Sequence, residues 1–113
     1  MRRNVLYRYW MVFTTRLATM SRTRAYKQAT LDIQQRFFDV MQELADEKRL
    51  PGGLAGYCET YDVDRRHYYT QKNDHNKGYF EVAWLLPLIK YFRVSANWLL
   101  FGIGKKYKGK AQD

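Results

Sequence analysis

The residues best equipped for chemistry in this 113-residue chain lie between Asp64 and Lys77, in the run Asp64-Arg65-Arg66-His67-Tyr68-Tyr69-Thr70-Gln71-Lys72-Asn73 and the loop behind it. Arg pairs bidentately with guanine and Asn with adenine in the major groove, so Arg65, Arg66, Tyr69, Thr70 and Asn73 on one helix face would read base edges. Lys72 and Lys77 would supply ammonium groups to the phosphate backbone. The bland alternative makes Arg65 and Arg66 solvated charges, one of them paired with Asp62 or Asp64. Catalysis has no comparable support, because no nucleophile–base pair, phosphate-cradling glycine loop or paired-carboxylate signature stands out. Structural zinc takes four ligands at short paired spacings, and His67, His75 and Cys58 are scattered. No metal, cofactor or small-molecule ligand is therefore expected, and Cys58 reads as a small core residue.

Those residues need elements to hold them. From Asp32 to Arg49, Ile33, Phe37, Val40, Met41 and Leu44 repeat as the buried stripe of a helix. Asp32 with Gln35 predicts its N-terminal cap, Lys48 and Arg49 its cationic last turn, and Pro51-Gly52-Gly53 its stop. Asp39, Glu43, Asp46 and Glu47 on its outer side would repel phosphates, so that side is expected to face away from any duplex. Leu54, Tyr57, Cys58 and Tyr61 predict a short second helix over 54–60. Tyr61-Asp62-Val63 is a spacer of helix-turn-helix length, and Asp64 an N-cap for the helix that follows. In that helix Tyr68 is the residue expected to turn inward. Asn73 to Gly78 is a polar loop. Pro87 is tolerated only near a helix start, which predicts a helix beginning near Trp84 or kinked at Pro87, with Leu85, Leu88, Ile89 and Phe92 buried. Ser95 caps a last short helix, and Gly102-Ile103-Gly104 closes it. Trp84, Tyr91, Phe92, Trp98 and Phe101 could stack single strands, but their helical spacing assigns them to the core.

The formal charge of +9 suits a polyanionic partner. Its distribution matters more than its size. Residues 1–30 carry seven cations and no acid, and residues 105–113 carry four lysines against Asp113, which leaves residues 31–104 at −1. Arg8 and Arg16 interrupt the apolar N-terminal run too early for the roughly 20 residues of a membrane span. That run also lacks a signal-peptide pattern, and Cys58 is the only cysteine. A cytoplasmic protein without a membrane partner is expected.

Phe92-Arg93-Val94-Ser95-Ala96-Asn97-Trp98-Leu99-Leu100-Phe101-Gly102 resembles the fourth-to-fifth helix junction of the lambda-repressor-like helix-turn-helix family. The resemblance extends in order and spacing over residues 31–104. It implies that Cys58 takes the small-residue position of the second helix, Asp62 the turn position that favours glycine, Val63 the buried turn position and Tyr68 the buried position of the recognition helix. It also implies an all-α, compact five-helix domain over 31–104, which the charge distribution flanks with a basic aromatic N-terminal arm or extension over 1–30 and a basic tail over 105–113. The expected activity is sequence-specific binding of double-stranded DNA by a transcriptional regulator, bacterial or phage in type, with a homodimer left open. The alternative is a protein–protein interaction module that keeps the helix-turn-helix fold. Residues 1–19 suit a DNA-backbone arm, a partner-binding helix or an upstream extension outside the native start.

Overall fold

A computed structural model describes residues 26–109 of the chain. Five α-helices follow one another within them: α1 (Gln28–Asp46), α2 (Gly53–Thr60), α3 (Arg65–Asn73), α4 (Leu86–Tyr91) and α5 (Ala96–Phe101), with a 3-10 turn at Val82–Trp84 before α4. The described residues are all-α with five helices, the number the resemblance implies. The expected arm lies, up to residue 25, outside the described residues.

Helix α1 differs at both ends from its sequence pattern. It opens at Gln28, behind an extended Lys27 that contributes no side-chain cap. Asp32 is not the cap. Its carboxylate instead accepts from Gln28 Nε2 at 2.9 Å, one turn earlier, and the helix runs through it. The same arrangement recurs at Gln35–Asp39 (2.8 Å) and Gln42–Asp46 (2.9 Å), so three Gln-to-Asp bridges repeat every seven residues along the helix. The C-terminal correction has a backbone cause. Lys48 adopts φ 58°, and the Arg49 amide turns back to the Leu44 carbonyl at 2.8 Å. The helix therefore ends before Lys48 and Arg49 can occupy its last turn, and before Pro51 is reached.

The inward face of α1 carries the centre of the core, with Phe37, Val40, Met41 and Leu44 fully buried. Around them pack Tyr57 and Cys58 from α2, Tyr68 from α3, Trp84, Leu85 and Leu88 before and within α4, Val94, and Leu99 from α5. Pro87 sits in the first turn of α4, where its missing N–H removes no helical hydrogen bond. Two aromatics assigned to the core are outside it. Tyr91 is 57 % exposed and stacks one face on Tyr61 at 5.6 Å, while Phe101, 67 % exposed, ends α5 where no described element covers it.

Helix α5 is held at both ends. Ser95 Oγ accepts from the Trp98 amide at 3.3 Å, and Gly102 (φ 71°) ends the helix in the left-handed region. Arg36 of α1 donates to the Leu99 carbonyl at 2.8 Å and the Leu100 carbonyl at 3.1 Å, satisfying acceptors a helix C-terminus leaves open. Beyond α5 the chain returns as a strap. Tyr107 forms an isolated antiparallel bridge with Val94. Ser95 N donates to the Lys106 carbonyl and Lys108 N to the Arg93 carbonyl. Lys106 Nζ meets Glu43 Oε1 at 2.6 Å and lies over the Trp98 ring, and Arg49 lies over Tyr107.

Candidate nucleic-acid interface

The α2–α3 corner forms as its residue types require. Asp62 adopts φ 60°, a conformation Asp tolerates better than most side chains, at the position where the resemblance implies glycine. The Val63 amide then bonds the Cys58 carbonyl at 2.9 Å, and its side chain is buried. Asp64 opens α3 by accepting from the His67 amide at 3.0 Å. That hydrogen bond, first among its causes, holds the Asp64 carboxyl below its usual pKa.

From beneath, α3 is fixed by Tyr68 and Gln71. The Tyr68 ring is fully buried, edge-on to Phe38 at 5.2 Å and to Phe37 at 6.1 Å. Gln71 uses its amide three ways. Its Nε2 donates to Gln34 Oε1 at 2.9 Å and to the His75 carbonyl at 2.8 Å, and its Oε1 accepts from the Tyr79 amide at 3.0 Å. The polar loop after α3 is thereby tied to the helix. Tyr26 OH adds a bond to the Lys77 carbonyl at 2.9 Å.

On the solvent side, Arg65, Arg66, Tyr69 and Asn73 are exposed along one stripe, with Thr70 half-buried at its edge. Neither arginine forms a salt bridge among the described residues. Arg65, Arg66 and Tyr69, with Asp64, line a shallow open depression. Lys77 is half-buried in the following loop. Lys72 is half-buried too, and its Nζ is 2.9 Å from Gln42 Oε1 and 5.9 Å from the Tyr69 ring centre. Gln42 is a contact the sequence pattern misses, because a glutamine on a helix exterior carries no signal of a partner 30 residues on. It also brings the acidic side of α1 next to the end of α3, at the edge of the surface it was expected to avoid. Between Arg65 and Lys77 the chain holds four cations against Asp74, a local +3 within a domain otherwise slightly acidic.

The histidines are occupied by rings. His67 stacks on Tyr79 with centroids 4.1 Å apart, and His75 on Phe38 at 5.2 Å. Among the described residues no group of three His, Cys, Asp or Glu side chains could hold a metal ion. Cys58 is buried, and that burial raises its thiol pKa, as suits an unreactive core residue. No described helix is long and apolar enough to cross a membrane.

No family model, curated protein or solved structure matches the chain. The described residues form a helical domain with a tight α2–α3 corner. Any narrower assignment rests on its residues.

Proposed function

We propose that the chain binds double-stranded DNA sequence-specifically as a transcriptional regulator, inserting α3 into the major groove. The observation that carries this is the exposed stripe of Arg65, Arg66, Tyr69 and Asn73 on a helix anchored from below by Tyr68 and Gln71. Nine helical residues span about 13 Å, and the major groove is about 12 Å wide. Arg65 and Arg66 read or anchor at the start of the helix. Tyr69, Thr70 and Asn73 contact bases or phosphates, and Lys77 contacts the backbone. The basic residues 1–30 and the exposed Lys105 add affinity that falls with salt and carries no sequence information.

The test compares Arg65→Ala with Lys105→Ala on a duplex selected by the full chain and on a random duplex. Arg65→Ala is expected to weaken the selected complex by roughly 1–3 kcal/mol while sparing the random one, and Lys105→Ala to weaken both alike. Equal weakening of the two duplexes by Arg65→Ala would count against the assignment. A protein-interaction module is the second reading, favoured by Phe101 and Ile103 standing 67 % and 65 % exposed at one end of a near-neutral domain. No salt-sensitive binding of the chain to any duplex would favour it.

A further inference from the structure

Lys72 lies beside the reading stripe, yet its ammonium is already engaged. It donates to Gln42 Oε1 at 2.9 Å while Gln42 Nε2 donates to Asp46 Oδ1 at 2.9 Å, so the amide is oriented from both ends. On the other side the ammonium lies 5.9 Å from the centre of the Tyr69 ring, within range of a cation–π attraction. The relay Asp46–Gln42–Lys72–Tyr69 thus runs from the outer face of α1 to an exposed ring at the middle of α3.

We infer that Gln42 is a positioning residue for DNA reading: it keeps Lys72 off the phosphates and against Tyr69, fixing the ring that meets the bases. The inference rests on the proposed DNA binding and reassigns Lys72 within it. An ammonium that contacts a phosphate releases a counterion and adds about 0.9 to the salt slope of binding. One held by Gln42 adds nothing. Fixing Tyr69 before binding lowers the ordering cost of a side chain at the interface.

The test uses the full chain, the duplex it enriches from a random-sequence library, and an unselected duplex. Lys72→Met is expected to lower selectivity with the salt slope unchanged. A slope lower by about 0.9 would place Lys72 on a phosphate and overturn the inference. Gln42→Ala is expected to lower the selected-to-random ratio roughly five- to tenfold and to raise the slope as the ammonium is freed. Gln42→Glu gives up the bond to Asp46 but holds Lys72 by a charge-assisted bond, and should recover most of the change that Gln42→Ala makes in both values. A ratio and slope unchanged in Gln42→Ala would defeat the proposal. The DNA-free chain gives a separate readout in the Tyr69 χ1 couplings, expected to show one rotamer in the parent and Gln42→Glu and averaging in Gln42→Ala. Averaging already in the parent overturns the role of Gln42 and leaves DNA reading standing. A fixed Tyr69 in a chain with no sequence preference overturns the reading itself, and the role with it.

Discussion

The Tyr57 hydroxyl donates to the Trp84 carbonyl at 2.8 Å, whereas the equally buried Tyr68 hydroxyl has no partner among the described residues. A lost hydrogen bond that strands a buried acceptor costs about 1–3 kcal/mol, while removing an unpartnered polar group relieves its desolvation. Tyr57→Phe is therefore expected to lower unfolding stability by that amount, and Tyr68→Phe to leave it unchanged or raise it, in urea melts at pH 7. Equal losses would mean that Tyr68 has a partner. Burial raises both phenol pKa values, so their contribution holds below about pH 10 and declines as pH rises beyond it. Asp64 has the opposite sign. Its pKa is lowered in the fold by the His67 amide, so its contribution is present above about pH 4 and lost as pH falls through the folded value. The stability gap between the parent and Asp64→Ala should narrow as pH falls below about 4, whereas Asp64→Asn, which caps without ionising, should keep its advantage over Asp64→Ala throughout. A gap independent of pH would sink this account of the cap.

At the scale of elements, what could be read from the sequence was whatever a local rule determines. The buried stripe of α1, the Asp64 and Ser95 caps and the Pro87 start of α4 each depend on residues within one or two turns, whereas the left-handed Asp62 was indicated only by the resemblance. The start of α1 was missed because Asp32 has two local options, and the side-chain bond from Gln28 draws the helix a turn further back. The burial of Gln34 and Gln71 had no signal at all, since each is satisfied by groups distant in sequence. The approach of α2 to the preceding turn is of the same kind. A Cβ at Gly56 would stand 2.2 Å from the Pro51 carbonyl oxygen, a backbone atom that cannot swing aside. Gly56→Ala would gain helix propensity, but the overlap dominates, and a net loss of about 1–3 kcal/mol is expected. Gly53, at φ 72° with open space around its Cβ position, should cost less on the same substitution, about 1 kcal/mol. Thermal melts of the two variants check the order, and a more stable Gly56→Ala protein would refute it.

For the molecule as a whole, the least legible part was the C-terminal end, read as a basic tail from its lysines. Residues 105–109 lie across α1 and α5, and Lys106 is taken up by Glu43. Truncation after Gly104 removes that ion pair, the two backbone bonds to Arg93 and Ser95, and the Tyr107 contact. It is expected to lower the melting temperature by at least 4 °C, on the order of 1 kcal/mol or more for a domain of this size. An unchanged melting temperature would show the strap to be energetically idle. Its contacts also set an order of events during synthesis. Arg36 meets the Leu99 carbonyl, and Glu43 meets Lys106, across 63 residues of chain in each case. At about 5–20 residues per second, a ribosome emits α1 roughly 3–13 s before either partner exists. Through that interval Phe37, Val40, Met41 and Leu44 of α1 lack the α5 and strap contacts that complete their surroundings, so the core closes only once the last described residues have been made.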